Sequence, residues 1–514
     1  MSKSKPNILF ITSDMQRGDC FGAFETRGAR APHVEMMADS GTRFSNCITP
    51  NPICMPSRAS ILTGMLPLTH GVYDNGIDLD PNIAANGFAG QLARIGYNTG
   101  FIGKAHFSTF ETFNPTGTPE CRFSSADYDE NWTGPYAGFE HVELVTMGHL
   151  HRKRPPEIPP HGQHYEHWFN ARNKDGEAFK LHATGLPPDT GAANTWNSAL
   201  PAAWHTSTWV GDRAISYLQE QKENPFCAWV SFPDPHQPFA PPEPWSRLYH
   251  PDEVDLPEHR TMDLDRRPWW HRAALESEPQ IDDDRLREHR KKVSRLPPQT
   301  DEQLRHMTAN YYGMISMIDH NVGRIQAALE DLGLAENTIV IYATDHGEFL
   351  GDHGLYLKGP MMYDGLLRVG LVMTGPGIPA DNVVDAPVST MDLCATFLDY
   401  AGVGKLDGIQ SETLRPFIEN RAASRDVAYC EWNMQAIRAG VELHLKTVRT
   451  KTHKLTMEQI SGDGELYDLF NDPTEMDNRY GDPAVSAVQR ELEDMIKERP
   501  GPLLNNLPAA VGIY

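Results

Sequence analysis

Four apolar runs each end on side chains that bind metals, move protons or carry charge. NILFITS (7–13) runs into Asp14, and TIVIYAT (338–344) runs into Asp345 and His346. TGFI (99–102) is followed by Gly103, Lys104 and, after Ala105, His106. PFCAWVSF (225–232) is followed by PDPHQPF, which contains His236. Each run is short, β-branched or aromatic and lacks polar alternation, the pattern of a strand buried on both faces of a parallel sheet. In open α/β sheets the ligand sits beyond the carboxyl ends of the strands. Carboxylates, imidazoles and a lysine are therefore delivered to one edge, which chance would supply once or twice but hardly four times.

Asp14, Asp345 and His346, from separate strand ends, suit one divalent cation. Carboxylate oxygens favour Mg, Ca or Mn, and an imidazole moves the choice towards Mn. Taken alone, Asp345 before His346-Gly347 equally suits the start of a turn. Lys104 and His106 lie two apart in extended chain and so face the same side; otherwise they are a solvated lysine and a structural histidine. The stretch NPICMPSRASILTG (51–64) adds Cys54, two residues before Pro56 and four before Arg58. Pro56 favours a first helical turn and Gly64 a stop. Cys54 then sits at a helix amino end with Arg58 one turn on, where amide groups and the helix dipole attract small anions. A lone free cysteine is more often a small core residue.

The elements that must position these residues follow from the rest of the chain. Helical patterns at His33–Ser40, Thr208–Gln221 and Gln303–Leu334 alternate with the strands. They predict an α/β fold with a large, mostly parallel sheet sandwiched by helices, and VGLVM (369–373) reads as one more strand. Residues of about 107–200 and 240–300 break this rhythm and read as insertions capping one end of the sheet. A catalytic domain is expected over 1–425 and a smaller α+β subdomain over 426–498. In the latter, HLKTVRTKTHKLTM (444–457) alternates like antiparallel strands, ELYDLFNDPTE (465–475) turns away, and a helix covers about 483–497. The tail 499–514 is apolar without a period; it either frays or docks on a neighbouring subunit in a dimer or tetramer.

Composition narrows the function classes. The 514 residues, 39% hydrophobic and 22% charged, describe an ordinary globular chain with room for a large core. A net charge of −23 repels polyanions, and the short basic run His151-Arg152-Lys153-Arg154 leads into prolines, so nucleic acid is excluded as a partner. The apolar ILFI at 8–11 is too short for a signal or a membrane span. Seven scattered cysteines (20, 47, 54, 121, 227, 394 and 430) form no C-x-x-C pair, which predicts reduced thiols in a cytoplasm. The sequon Asn131-Trp132-Thr133 is then expected to stay unglycosylated.

Cys54-Met55-Pro56-Ser57-Arg58 followed by Thr63-Gly64 resembles the C-x-P-S-R…TG signature of the sulfatase family. GYNTGFIGKAH (96–106) resembles its second signature. The likeness continues through PHVEMMADSGTRF, MLPLTHGVYDN, TDHGEFLGDHG with Lys358, and ELYDLFNDPTE, over nearly the whole chain except the two insertions. It implies an alkaline-phosphatase-like fold. It also implies that a formylglycine-generating enzyme oxidises Cys54 to formylglycine, whose aldehyde hydrates to a gem-diol nucleophile bound to one divalent metal, Mn or Ca. Carried over residue by residue, Asp14, residue 54, Asp345 and His346 bind that metal, and Asp345 helps activate the attacking hydroxyl. Arg58, Lys104 and Lys358 hold the ester oxygens, and Arg58 also orients the diol. His236, helped by Lys358, assists departure of the alcohol, and His106 takes the proton of the second hydroxyl.

Met15 departs from the family pattern, which has Asp, Gln or Asn there. A thioether suits a hard cation poorly, so that ligand position falls to water or to Gln16. His346 together with Asn75 in GVYDN is similar to the branch holding phosphonate monoester hydrolases and choline sulfatases; Asn75 would touch a substrate oxygen or the leaving group, or is an ordinary turn residue. The Lys104/His106 pair is kept by sulfate-ester enzymes and tends to be lacking in phosphonate hydrolases. Promiscuous hydrolysis of small sulfate monoesters is therefore expected, with phosphonate monoesters and phosphodiesters as alternatives. A non-catalytic anion-binding homologue is the reading that only Met15 favours.

Overall fold

The computed structural model describes residues 5–21, 28–146, 158–173, 176–419 and 424–514; the basic run 151–154 lies outside them. Eight strands form the main sheet. They are β1 (Asn7–Ser13), β2 (Thr42–Phe44), β3 (Asn98–Lys104), β4 (His141–Val145), β5 (Phe226–Ser231), β6 (Thr338–Thr344), β7 (Leu371–Thr374) and β8 (Asn382–Val384). Their order is β8-β2-β7-β6-β1-β5-β3-β4. The contiguous strands β6, β1, β5 and β3 run parallel, so their carboxyl ends share one edge. Three of these strands precede Asp345, Asp14 and His236, and β3 ends on Lys104.

Both faces of the sheet are apolar because both are covered. In β1, Leu9 and Ile11 join the core beneath α1 (Pro32–Asp39), α4 (Thr206–Gln221) and α6 (Asp301–Asp331). Ile8 and Phe10 join the opposite core beneath α2 (Cys54–Thr63), α3 (Phe88–Arg94) and α7 (Asp392–Tyr400). The second core is rich in aromatics. Trp229 packs on Phe10 (4.9 Å between ring centroids) and Phe101 (5.2 Å), and its indole N–H donates to Thr12 Oγ1 at 2.8 Å. That bond satisfies the one polar atom of a side chain whose burial contributes about 1.5–3 kcal/mol or more. The 31-residue α6 starts at a capping box, Thr300 with Gln303.

The structure departs from the sequence-based expectation in three places. VGLVM is broken: Arg368–Val369 pairs with Cys47–Ile48, whereas β7 runs antiparallel between β6 and β2. Gly370 marks the break, since a side chain there would strike the Phe21 ring at 2.2 Å. Residues 107–200 are not only a cap, because they supply the edge strand β4, paired in parallel with β3. Its Glu143, bound to Arg213, disguised a buried strand as a polar one. The segment ELYDLFNDPTE opens with a strand before it turns.

That strand completes a second, antiparallel sheet of β9 (Ala428–Met434), β10 (Leu443–Arg449), β11 (His453–Glu458) and β12 (Gly464–Asp468). One face packs on Phe349, Met361 and Leu367, the other beneath Leu492 and Ile496 of a helix at Ser486–Lys497. The tail lies on its own chain. The Leu504 N–H donates to Leu68 O (2.9 Å), Val511 N–H to Gly76 O (2.8 Å) and Ile513 N–H to Glu111 O (3.0 Å), with Ile513 and Tyr514 buried. Gly76, at φ +94°, admits this tail segment because a Cβ would meet Gly512 O at 2.5 Å. All seven cysteines are free and buried, and no described helix is long and apolar enough to cross a membrane.

Candidate active site

Cys54 opens helix α2 and is buried at the carboxyl edge of the sheet. Its neighbours seat the helix start. Asn51 Oδ1 accepts from Ile53 N–H (2.8 Å) and Asn75 Oδ1 accepts from Met55 N–H (3.1 Å). The Ser57 and Thr49 hydroxyls both donate to the Asp345 carbonyl, at 2.7 and 2.6 Å, which locks α2 onto the end of β6. Asn75 thus holds the helix start as well as lining the cavity in front of Cys54.

Asp14, Cys54, Asp345 and His346 offer one ligand atom each within 4.8 Å of one another, all four residues buried. Cys54 Sγ lies 3.1 Å from His346 Nε2 and 3.7 Å from Asp14 Oδ1. His346 Nδ1 donates to the Gly347 carbonyl at 2.9 Å, leaving Nε2 as the ligand atom. The donor set fits a divalent cation of oxygen and imidazole preference. No other described group of three or more such residues does so.

Arg58 stands behind the carboxylates. Its Nε donates to Asp345 Oδ2 (2.8 Å), Nη2 to Asp14 Oδ2 (3.4 Å), and Nη1 to Lys104 O (2.5 Å) and Ser231 Oγ (2.8 Å). In this geometry the guanidinium orients two of the ligand carboxylates.

The cations and imidazoles ring the sulfur. Lys358 Nζ is 2.9 Å from Cys54 Sγ and 3.3 Å from both His236 Nε2 and His346 Nε2. Lys104 Nζ pairs with Asp14 and is 3.9 Å from Cys54 Sγ. Burial opposes ionisation of the Cys54 thiol, but Lys104, Lys358 and His346 outweigh it and hold its pKa well below the ordinary value. Burial likewise pushes Asp14 up, and Cys54 adds to this, yet Lys104, His236 and Arg58 bring it down to about 2. His106 is pushed down to about 4 by burial and by Lys104 and Arg58, despite the nearby Cys54. Burial, Lys358 and Lys104 lower His236, whose Nδ1 donates to Gln237 O at 2.9 Å.

Gln16 is not brought to the ligand group. Its amide nitrogen donates to Cys20 O (3.0 Å) and its Oε1 accepts from Tyr342 OH (2.8 Å). Met15, at φ +66°, turns its side chain into the hydrophobic core and sends only its N–H to Asp345 Oδ1 (3.0 Å). The thioether therefore does not occupy a ligand position.

Two sets of residues escaped sequence reasoning. Glu120, inside the first insertion, accepts from the N–H groups of His106 (2.6 Å), Phe107 (3.0 Å) and Ser108 (3.1 Å) and from Tyr136 OH (2.8 Å). It holds His106 at φ +53°, a left-handed conformation uncommon outside glycine. The outer wall of the cavity comes from Arg290, Val293, Ser294, Arg438 and Tyr514. No local pattern marks either set, because each is assembled from distant segments.

The family model described as "Sulfatase" matches residues 6–403, and one described as "N-sulphoglucosamine sulphohydrolase, C-terminal" matches 351–500. An arylsulfatase of Clostridium perfringens (strain 13 / Type A) is 30% identical over 92% of this chain and 90% of its own length. A choline-sulfatase of Rhizobium meliloti (strain 1021) is 27% identical over 96% of this chain and 86% of its own. The crystal structure of a phosphonate monoester hydrolase of Agrobacterium radiobacter superposes with a TM-score of 0.74 at 25% identity, covering 96% of this chain and 95% of that one. With a family model spanning most of its length and the signature cysteine set among four clustered donors, the chain belongs to the sulfatase family.

Proposed function

We propose that this protein hydrolyses sulfate monoesters, using as nucleophile the hydrated aldehyde of a formylglycine made from Cys54. The observation that carries this is the convergence of Asp14, Asp345, His346, Lys104, Lys358, His236 and His106 on one sulfur atom. In the unmodified chain that sulfur stands in for the oxygens of the hydrated aldehyde. A divalent cation held by Asp14, residue 54, Asp345 and His346 would supply positive charge that acidifies a hydroxyl and offsets the charge of the ester.

The chain's own residues do the rest. Arg58 fixes Asp14 and Asp345, so the carboxylates need not reorganise. Lys104 and Lys358 flank residue 54 and meet the ester oxygens as charge develops. His236 Nε2, beside Lys358, faces the cavity where the alcohol departs, and the lysine ammonium is the proton source that this pair offers the alcohol. His106, buried against residue 54, takes the proton of its second hydroxyl, so that the carbon–oxygen bond to the sulfated oxygen breaks, sulfate leaves and the aldehyde is restored. A formylglycine-generating enzyme is the partner that this chemistry requires.

Mass spectrometry of the peptide spanning residues 43–58 tests the nucleophile, with aldehyde in place of thiol as the expected result; an intact thiol in active enzyme refutes it. Rates on an aryl sulfate, a phenylphosphonate monoester and a phosphodiester, measured side by side, test the substrate. The likeness to a phosphonate monoester hydrolase structure favours a second reading with the same site and that ester class. Lys104→Ala should then separate the two, reducing sulfate turnover most if the first reading holds and all three equally if it does not.

A further inference from the structure

The wall of the cavity opposite Cys54 carries positive charge that the hydrolytic machinery does not use. Arg290 and Val293 come from α5 (Asp284–Ser294) in the second insertion, Arg438 from just after β9, and Tyr514 from the docked tail. Arg438 is committed to Asp74, with its Nη2 2.6 Å from Oδ1. Arg290 is only 2% exposed, and its Nε has no hydrogen-bond partner among the described residues. Its guanidinium rests on the Tyr514 ring, 5.5 Å from the centroid. Asp74 is the carboxylate that attracts it, and that carboxylate already pairs with Arg438. Burial and the like charge of Arg438 push Arg290 down to about 9. A buried guanidinium lacking its own acceptor is costly, and here it borders the cavity where the ester must enter.

We infer that Arg290 and Tyr514 form a subsite for a second oxyanion carried on the alcohol portion of the ester. This rests on the reading that the ester itself sits at residue 54. The guanidinium fork matches two coplanar oxygens, so a carboxylate is the best-fitting group, with a second sulfate as the other source of the same chemistry. Tyr514 and Val293 give the spacer an aromatic and aliphatic surface, which suits an aryl ring. The substrate class is then an aryl sulfate with an anionic ring substituent.

The test compares 3-carboxyphenyl sulfate, its uncharged carboxamide and resorcinol disulfate in wild type, Arg290→Met and Arg290→Lys. The quantity read is the ratio of kcat/KM for the charged ester to that for the carboxamide; intrinsic leaving-group reactivity cancels when wild type and variant are compared. Loss of one charge-assisted contact lowers that ratio about tenfold or more in Arg290→Met, chiefly through KM, with a smaller fall in Arg290→Lys. A fall for the carboxylate alone assigns a carboxylate, and a fall for the disulfate alone assigns a sulfate. An unchanged ratio for both overturns the subsite, and Arg290→Lys decides the matter if Arg290→Met does not fold. Should wild type turn over none of the three esters, the proposed activity fails, and calorimetry of 3-hydroxybenzoate binding reads the subsite instead. Equal binding to wild type and Arg290→Lys then overturns it.

Discussion

Arg58 Nε lies 2.8 Å from Asp345 Oδ2, with both side chains fully buried. The same guanidinium reaches Asp14, so one cation aligns two carboxylates that would otherwise repel each other across the ligand group. Lysine lacks the planar fork for this task. Arg58→Lys is expected to weaken divalent-metal affinity about 10- to 100-fold. Arg58→Met, which takes the guanidinium from the buried Asp345 while Asp14 keeps Lys104, costs about 3–5 kcal/mol of stability. Metal titration and urea unfolding check both. A raised KM with unaltered metal affinity would instead place Arg58 against the ester.

Glu120 holds His106 through three backbone amides rather than through its ring. Glu120→Gln exchanges one acceptor oxygen for a donor that faces those amides. Stability should fall by about 1–3 kcal/mol and kcat by about tenfold, as expected for an unsatisfied buried donor. A positioning role predicts that KM hardly changes, so the measurement is the split between kcat and KM.

Met15→Ala tests whether that position belongs to the core or to the site. Its side chain is buried in the core below the ligand group. Removing it should cost about 2–5 kcal/mol in denaturant unfolding, as for other large-to-small core changes. Metal affinity should be unchanged, because Asp345 receives only the backbone N–H of residue 15. A clear loss of metal binding at constant stability would contradict this.

The tail can be removed by ending the chain at residue 509. Tyr514 is then lost from the cavity wall and Ile513 from the apolar cluster with Ile281 and Leu286, and Tyr514 OH no longer meets His289. KM for aryl esters is expected to rise, with a stability loss of roughly 2–5 kcal/mol from the missing buried side chains. Sedimentation is expected to show the same assembly as the full chain, since the tail's hydrogen bonds are with its own subunit. A smaller particle would mean that it joins copies as well.

Glu143 gives the edge strand a pH signature. Burial raises its pKa, but His141 and Arg213 outweigh this and hold it below the ordinary 4.5. A depressed carboxylate pKa stabilises the fold above the unfolded value and loses that contribution as pH falls through the folded one. The stability difference between wild type and Glu143→Gln should therefore shrink as pH falls below about 4.5. Chemical unfolding at several pH values checks this; a difference that grows on acidification would reverse the assignment.

The chemistry of the inner site was legible because it sits at strand ends. A run such as TIVIYAT declares a doubly buried strand, and the parallel order of β6, β1, β5 and β3 makes neighbours of whatever follows each run. Proline, glycine and apolar spacing likewise announced the helix that begins at Cys54. Periodicity is a local signal, and these elements are local.

What tertiary structure alone decided are the directions of side chains and the contacts between distant segments. The backbone at Met15 turns left-handed, which sends its thioether into the core, and no residue pattern announces that turn. Arg58 faces the carboxylates because β1, β5 and β6 surround it. Glu120 reaches His106 from an insertion, and Arg290 meets Tyr514 across more than two hundred residues of chain. Such pairings depend on packing the whole molecule, and a sequence records them only as isolated residues.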